Sequence, residues 1–211
     1  MSVNVLSHPI VQAKLSELRD ARTISHRFRA LVKELSTVLG IEASRDLPVK
    51  DVPGLKSPIA SFTGKAIAPR VGLTPILRAG IGMTDPMLDL FPDASVFYLG
   101  LFREKVSLQP VEYYQKLPKT VTVDTLFLLD PLIATGGTAI AAISILLDWG
   151  LDVSQIKLLC ILGSKPGLQK VAEAYPGLDI YACAVDEELT EDGYIVPGLG
   201  DSGDRLFSTQ P

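Results

Sequence analysis

The amino-acid sequence predicts an α/β domain whose mainly parallel sheet is covered by helices on both faces. Short apolar runs alternate with helical stretches from residue 66 onwards. The runs are apolar at nearly every position, which is typical of strands buried on both faces. No internal repeat, low-complexity tract or linker interrupts the 211 residues, so we expect a single domain over residues 1–211.

Two helices are predicted before the alternating region. One follows Pro9 and covers residues 11–19, and the next covers residues 24–39, with Gly40 where a helix C-cap would fall. We expect their apolar faces to pack on the domain or on another subunit. Residues 44–65 are rich in proline and glycine, which predicts loops or a short edge hairpin.

The later elements are predicted from hydrophobic periodicity and from the turn residues between them. In chain order they are a strand at 66–77 interrupted near Pro69, a helix at 83–90, a strand at 95–102, a polar excursion at 103–119, a strand at 125–130, a helix at 139–150, a strand at 156–163, a helix at 168–175 and a strand at 179–185. The excursion leaves the carboxyl edge of the sheet, where a lid that excludes water would lie.

Composition and charge exclude several classes of function. With 47% hydrophobic and 21% charged residues the chain can bury a core, and a net charge of −4 does not favour general nucleic-acid or membrane-surface binding. His8 and His26 are too few for a histidine-rich metal site. Cys160 and Cys183 form no CxxC pair, the first residues lack the apolar core of a signal peptide, and no apolar run reaches about 18 residues. We therefore expect a cytoplasmic protein with neither a nucleic-acid nor a membrane partner.

The stretch TLFLLDPLIATGGTAIAAISILL, residues 125–147, contains a turn between a strand and a helix. The turn consists of Ala134, Thr135, Gly136, Gly137 and Thr138. Glycines let several backbone N–H groups point into one concavity, and the following helix adds positive potential, so the turn suits a phosphate monoester. Neither the GxxxxGK[ST] of a P-loop nor a GxGxxG dinucleotide fingerprint is present here, and an ordinary βα turn is the alternative. The carboxylate of Asp130 could accept hydrogen bonds from vicinal ribose hydroxyls, which indicates a sugar 5-phosphate.

Two further stretches place charge or accessible backbone in loops. PILRAGIGM, residues 75–83, puts Arg78 beside glycines at a strand end, an arrangement suited to a diphosphate. GYIVPGLGDSGDR, residues 193–205, is a poor helix and a poor strand because of Pro197 and its glycines, so we expect a loop with accessible main chain. From the residues alone, surface turns are the better interpretation of both stretches.

At these motifs the chain resembles the type I phosphoribosyltransferases, and among them the uracil phosphoribosyltransferases. The resemblance rests on DPLIATGGT together with HPIVQAKLSELRD, PILRAGIGM, YYQKLP and GYIVPGLGDSGDR, in order along nearly the whole chain. Most type I families carry two adjacent acidic residues before the turn, whereas here Pro131 follows Asp130, as in the uracil enzymes. The resemblance implies the type I phosphoribosyltransferase fold with N-terminal helices and a C-terminal base-binding loop. It also implies a pentosyltransferase that converts uracil and 5-phospho-α-D-ribose 1-diphosphate (PRPP) to UMP and diphosphate in pyrimidine salvage, with Mg²⁺ as cofactor.

The resemblance also assigns site residues. It implies catalytic roles for Asp130, Arg103 and Asp201, with Lys105 a weaker neighbour of Arg103. PRPP contacts are implied for Arg78, Arg103, Asp130, Pro131, Leu132, Ile133, Ala134, Thr135, Gly136, Gly137, Thr138 and Asp201. Uracil contacts are implied for Ile195, Gly200, Asp201 and Ser202. No side chain is assigned as a metal ligand, because Mg²⁺ is bound mainly through PRPP.

Several alternatives stay open. A non-catalytic relative that senses a pyrimidine nucleotide and binds RNA would need a basic face, which 20 Lys and Arg against 24 Asp and Glu do not favour. An enzyme acting on another base is a nearer rival. GSKPG, residues 163–167, receives no role. GTP or another nucleotide as an effector is left open, and the N-terminal apolar stripes lead us to expect a homodimer or homotetramer.

Overall fold

The computed structural model describes residues 3–103 and 110–209, with the backbone alone for residues 102, 103 and 110. Its helices are α1 (Pro9–Arg19), α2 (Ser25–Ala43), α3 (Ile81–Leu90), α4 (Gly137–Trp149), α5 (Lys165–Ala174) and α6 (Ser202–Phe207). Its strands are β1 (Val3–Val5), β2 (Val49–Lys56), β3 (Ser61–Ile67), β4 (Val71–Leu77), β5 (Ser95–Val96), β6 (Leu99–Arg103), β7 (Pro110–Gln115), β8 (Thr125–Leu129), β9 (Leu132–Ile133), β10 (Ile156–Ser164), β11 (Asp179–Asp186), β12 (Glu188–Leu189) and β13 (Ile195–Val196).

The central sheet has the strand order β1-β11-β10-β8-β4-β6-β7, with β5 beside β4 and β9 beside β10. All of its pairings are parallel except that of β6 with β7. The predicted mainly parallel sheet is therefore confirmed. Because parallel strands all point the same way, the carboxyl ends of β4, β6, β8, β10 and β11 lie at one edge of the sheet.

The buried strands send side chains into two hydrophobic cores, one on each face of the sheet. In β8, Phe127 and Leu129 enter the first core, whereas Leu126 and Leu128 enter the second. Helices α1, α2, α3 and α6 cover the first core, and α4 and α5 cover the second. The cysteines are divided in the same way, with Cys183 in the first core and Cys160 in the second. Helices on both faces are thus confirmed, and the N-terminal apolar stripes are covered within the chain itself except at Ile24, which is 65% exposed.

Helix α2 does not end at Gly40, so the predicted C-cap is wrong. The helix continues to Ala43, and Gly40 lies inside it at the crossing with α3. A Cβ at Gly40 would lie 2.6 Å from Met87 Sδ and 2.7 Å from Leu90 Cδ1. The glycine is therefore explained by the close approach of two helices rather than by a left-handed turn.

The predicted strand at 66–77 is divided between two sheets. Its first residues complete β3, which pairs with β2 in a separate antiparallel hairpin, and its remainder forms β4. The hairpin predicted within 44–65 is confirmed, but it is not an edge of the central sheet. Ile59 at its tip is 95% exposed and Phe62 is 49% exposed.

Two more boundaries differ from the sequence prediction. The strand predicted at 95–102 is broken into β5 and β6, and the excursion after it includes β7, which pairs antiparallel with β6. The return of the excursion is fixed by Trp149 of α4, whose indole Nε1 donates to the Pro118 carbonyl at 2.7 Å. Its ring also meets Phe97 edge-on, with the ring centroids 5.0 Å apart. Within the described residues, no helix has the length and apolar character needed to cross a bilayer.

Candidate active site

The loops that carry the predicted site residues converge at the carboxyl edge of the sheet. Strands β8, β4 and β6 are neighbours in that order, and they are followed or ended by Asp130, Arg78 and Arg103 respectively. The loop after β4 also touches the end of β8, since a Cβ at Gly80 would lie 2.5 Å from the Leu129 carbonyl oxygen. Glycine is required at this contact because the neighbouring atoms belong to the backbone.

The segment Ala134–Thr138, here the glycine turn, leads directly into α4. Gly136 adopts a left-handed conformation with φ +76° and is the N-cap residue of the helix, which begins at Gly137. Only glycine adopts this region at little cost, so the turn depends on that residue. The first N–H groups of a helix have no partner within it, and here they face the same edge as Asp130. The arrangement can bind an anion at the start of a 13-residue helix.

The glycine turn is supported from behind by the junction of β10 and α5, to which the sequence analysis gave no role. Ser164 donates its hydroxyl hydrogen bond to the Ala134 carbonyl and accepts one from the Gly167 N–H at 2.9 Å. A Cβ at Gly136 would lie 2.6 Å from the Gly167 carbonyl oxygen, and one at Gly167 would lie 2.0 Å from the Ala134 oxygen. Residues 163–167 therefore set the position of the turn. Their place immediately after a strand was the one available signal.

Asp130 lies between the end of β8 and the glycine turn. Its N–H donates to the Leu159 carbonyl at 3.2 Å, and its Oδ1 accepts from the Leu132 N–H at 3.4 Å. Burial raises the pKa of the Asp130 carboxyl to about 7; the charge of Asp201 adds to the rise and the Leu132 N–H opposes it. The side chain keeps some exposed surface. It is therefore a carboxyl group that a ligand can reach and that changes charge near neutral pH.

The residues directly after Asp130 serve the sheet as well as the edge. The Pro131 carbonyl accepts from the N–H groups of Ile161 and Leu162, both at 3.1 Å, and β9 pairs with β10. Ile133 is buried in the second core. These positions reach a ligand at most through their backbone, and their predicted PRPP contacts stay predictions.

Arg78 joins the loop after β4 to the C-terminal helix. Its Nη2 donates to Asp204 Oδ1 at 3.0 Å and its Nη1 to Thr209 Oγ1 at 3.2 Å. The side chain is half exposed, so three further N–H groups of the guanidinium are available in principle to an anion. Arg103 has its backbone at the end of β6, opposite Pro110, and Lys105 lies outside the described residues.

The stretch 195–202, here the C-terminal loop, is connected to the same edge. The Gly198 N–H donates to Asp186 Oδ2 at 2.9 Å, and the Gly198 carbonyl accepts from Arg19 Nη1 at 2.8 Å. Arg19 and Asp186 also form a two-pronged ion pair, with both N–O distances 2.7 Å. These residues are 167 positions apart, and nothing in the sequence pattern links them.

The end of the C-terminal loop differs from the prediction. Residues 202–207 form helix α6, so the expectation that the whole of 193–205 avoids helix is wrong. Asp201 is the N-cap residue, and its Oδ1 accepts from the Asp204 N–H at 2.9 Å, which favours a helix start. The Ile195 side chain is buried in the first core and Ser202 is buried, while Gly200 is exposed with φ +79°. Of these three residues, Gly200 presents exposed backbone to solvent.

Arg205 holds the other side of α6. Its guanidinium is buried and donates to the carbonyls of Leu18 and Leu199, each at 2.8 Å, and to that of Asp20 at 2.6 Å. Burial lowers the pKa of Arg205 from its ordinary value, and the charge of Asp20 opposes this. The arginine therefore connects the C-terminal loop to the end of α1 through the backbone.

The carboxylates at this edge fit a divalent ion that arrives with its ligand. Among the described residues, no group of three or more His, Cys, Asp or Glu side chains is placed to hold a metal. Asp130 and Asp201 interact electrostatically across the edge. Mg²⁺ keeps several waters and is commonly bound through one or two carboxylates and substrate phosphates, so this pair suits an ion carried by a diphosphate.

Comparison with known proteins gives a consistent result. Residues 5–209 match the family model described as Uracil phosphoribosyltransferase. A uracil phosphoribosyltransferase from Roseiflexus castenholzii is 51% identical over 207 residues, which are 98% of each chain, and one from Desulfitobacterium hafniense is 50% identical over 209 residues, which are 99% of each.

Solved structures show the same fold. The AQ2163 protein from Aquifex aeolicus has a TM-score of 0.91 at 31% identity, with 99% of both chains covered. A purine phosphoribosyltransferase from Pyrococcus horikoshii has a TM-score of 0.52 at 13% identity, covering 75% of this chain and 84% of that one, which indicates the fold alone.

Proposed function

The chain belongs to the uracil phosphoribosyltransferase family, and we propose how the carboxyl edge of its sheet carries out that reaction. The substrates are uracil and PRPP, and the products are UMP and diphosphate. A bond forms between N1 of uracil and C1 of the ribose, the bond from C1 to the diphosphate oxygen breaks, and the diphosphate leaves with the electron pair. The proton of N1 ends on the diphosphate, whose oxygen becomes more basic once its bond to C1 is broken. The observation that carries the proposal is that the glycine turn, Asp130 and the C-terminal loop meet at one edge.

The glycine turn holds the 5-phosphate of PRPP. Its support is the free N–H groups at the start of α4 and the left-handed Gly136, which together form an anion site. Ser164 and Gly167 fix the turn against α5, so little reorganisation is needed when the phosphate binds. Positioning of this kind is a main source of rate enhancement when a reaction has two substrates.

Asp130 accepts hydrogen bonds from the ribose hydroxyls and faces the positive charge that develops at C1. Its ionised form performs this role, and bound Mg²⁺ and the arginines favour ionisation by their charge. Because its pKa lies near 7 before the ligand binds, a large part of the carboxyl population is protonated in the free protein at neutral pH. PRPP binding is therefore coupled to loss of a proton from this group.

Arg78 and Arg103 bind the diphosphate, and Mg²⁺ held by PRPP is expected near Asp201 and Asp130. The ion supplies charge stabilisation to the leaving group. Arg78 is supported in this role by its position after β4 and by its exposed N–H groups. For Arg103 the support is the position of its backbone at the end of β6.

The C-terminal loop binds uracil through its main chain, at Ile195, Gly200, Asp201 and Ser202. The exposed backbone at Gly200 and the inward-facing side chain of Ile195 support this assignment. Fixed N–H and C=O groups can recognise the uracil edge without a dedicated side chain.

The experiment is a direct assay of the purified protein with uracil, PRPP and Mg²⁺, measuring UMP and diphosphate. Asp130→Asn is expected to lose most of this activity, and Asp124→Asn is the matched control. Asp124 precedes the same strand at the opposite edge of the sheet, where it pairs with Arg70. If both variants keep near-normal kcat/KM for PRPP, the role given to Asp130 is wrong.

The assembly is proposed to be a homodimer or homotetramer. The N-terminal stripes no longer support this, because they are covered within the chain except at Ile24. Its support is now the hairpin β2–β3, where apolar side chains such as Val49, Ile59 and Phe62 are exposed. Sedimentation velocity measures the state directly. Regulation by GTP or another nucleotide stays a prediction, and it is checked by the same assay with and without GTP.

A further inference from the structure

Gly198 lies at the centre of the C-terminal loop, and both of its backbone polar groups are bound by one ion pair. The Gly198 N–H donates to Asp186, and the Gly198 carbonyl accepts from Arg19, while Arg19 and Asp186 bind each other. Two backbone groups and two charged side chains thus form one closed set of hydrogen bonds. Charge-assisted hydrogen bonds of this kind are stronger than neutral ones and fix orientation as well as distance.

The three residues come from separate parts of the fold. Arg19 is in the last turn of α1, Asp186 is the last residue of β11, and Gly198 follows β13. Gly198 has φ +62°, and a Cβ there would lie 2.1 Å from the Ile195 carbonyl oxygen. The loop is therefore folded tightly at this residue, and its shape depends on what holds the Gly198 peptide groups.

The ion pair is buried more than an ordinary surface pair. The side chains of Arg19 and Asp186 are 22% and 8% exposed, whereas those of the two-pronged pair Arg70–Asp124 are 64% and 46% exposed. Exposed pairs contribute little to stability because solvent screens them. A buried pair that is fully hydrogen-bonded instead fixes one arrangement of the groups around it.

We propose that Arg19 and Asp186 are a positioning pair for base recognition, which holds Gly198 so that the backbone of the C-terminal loop is preformed for the uracil edge. Neither residue touches substrate, and both act through Gly198. The inference rests on the proposed binding of uracil to residues 195–202. It predicts that loss of the pair weakens uracil use while PRPP use is nearly preserved, because PRPP is held by the glycine turn and at the carboxyl ends of β4 and β6.

The test compares Arg19→Lys and Asp186→Asn with Arg70→Lys and Asp124→Asn. Each control removes the same chemistry from a two-pronged pair at the amino ends of β4 and β8, opposite the site. Lysine keeps the charge of Arg19 but cannot bind Asp186 in two places and Gly198 at once. We expect KM for uracil to rise about tenfold or more in the Arg19 and Asp186 variants, with KM for PRPP within about threefold of normal. The controls are expected to leave both KM values unchanged.

Hydrogen exchange separates failure of this inference from failure of the base-loop assignment. In the unaltered protein, UMP is expected to slow amide exchange across residues 195–202. Without such protection, the assignment of the base to this loop is wrong and the inference falls with it. With protection but a normal KM for uracil in both variants, the positioning pair alone is refuted. Equal rises in both KM values, or loss of the folded state in both variants by circular dichroism, would also refute it, because the pair would then support the fold in general.

Discussion

At the scale of single residues, Asp130 has a pKa raised by burial to about 7. In the proposed mechanism its ionised form faces the ribose, so kcat/KM for PRPP should rise with pH and level off above about 7. Asp130→Asn should have a low kcat/KM that is flat across the same window. The measurement is the initial rate at a series of pH values from about 5.5 to about 8.5. A small residual change of kcat/KM with pH in the variant is attributed to titration of the substrate. A change as large as that of the unaltered protein would contradict the assignment.

Ionisation of Asp130, which the proposed activity requires, lowers the stability of the folded protein. A carboxyl whose pKa is higher in the folded state favours folding below its unfolded pKa, and this contribution is lost as pH rises through about 7. Ionised Asp130 therefore opposes folding at pH 8. We expect Asp130→Asn to raise Tm at about pH 8, with an increase in the free energy of unfolding on the order of a few kcal/mol at most. At about pH 5 the increase in Tm should be smaller.

Asp124, at the other end of β8, provides the contrasting case. The hydrogen bond from Arg70 lowers the pKa of Asp124 to about 2. Its contribution to stability is present above its unfolded pKa and is lost only as pH falls towards about 2. Asp124→Asn should therefore lower Tm slightly at neutral pH, since the pair is exposed. Scanning calorimetry of both variants at about pH 8 measures the two changes in Tm. If Asp130→Asn lowers Tm as Asp124→Asn does, burial does not destabilise ionised Asp130.

Gly136 allows a matched test of the glycine turn. Alanine at Gly136 would be strained by the left-handed backbone, and its Cβ would lie 2.6 Å from the Gly167 carbonyl oxygen. Gly177 has φ +90° and open space around it, so Gly177→Ala incurs the backbone strain alone, about 1–2 kcal/mol. We expect Gly136→Ala to raise KM for PRPP by about tenfold or more and Gly177→Ala to leave it unchanged. Steady-state kinetics with PRPP varied decides between a specific and a general effect.

At the scale of elements, the C-terminal loop should distinguish uracil from cytosine. Uracil offers an acceptor at C4 and a donor at N3, and cytosine reverses both. A fixed backbone would then face donor with donor and acceptor with acceptor, at about 1–3 kcal/mol for each buried group left unpaired. Two mismatches give roughly thirtyfold to twenty-thousandfold discrimination. Comparable kcat/KM values for the two bases would exclude recognition by this loop.

Elements whose signals are local were predicted well from the sequence. The strand Thr125–Leu129, the glycine turn and the end of α4 at Gly150 follow from a short apolar run and flanking glycines. Gly40 was misinterpreted because a glycine at a helix crossing and a glycine at a helix end look alike in one sequence. The boundary between β3 and β4 was missed because nothing local tells which sheet a strand joins.

The contacts that shape the site were the least predictable part. Asp130, Arg78 and the C-terminal loop were found through motifs, but Ser164 and Gly167 act on the glycine turn from a separate element. The contact of Arg19 with Asp186 joins the start of the chain to its end. Such pairs are determined by tertiary packing, and only the folded arrangement shows them.

At the scale of the whole molecule, one sheet is shared by two cores. Strands β4, β8 and β10 contribute side chains to both cores. Loss of packing on one face of the sheet therefore also destabilises the strands that form the core on the other face. The site lies at the edge where both faces meet. Its geometry therefore depends on α1 and α6 from one layer and on α4 and α5 from the other.

Each core contains one cysteine, so the opening of each layer of helices can be followed by the rate at which its own thiol reacts. Cys183 and Cys160 are free thiols in opposite cores, and burial raises the pKa of Cys183 to about 12 and that of Cys160 well above its ordinary value. Neither can react with an alkylating reagent until its layer opens. If the shared strands make the two layers open together, both thiols should be alkylated with one rate constant, and UMP should slow both equally. Peptide mass spectrometry over a time course reads the two rates separately, and faster labelling of Cys183 would show that α1 and α2 can leave the sheet while α4 and α5 stay in place.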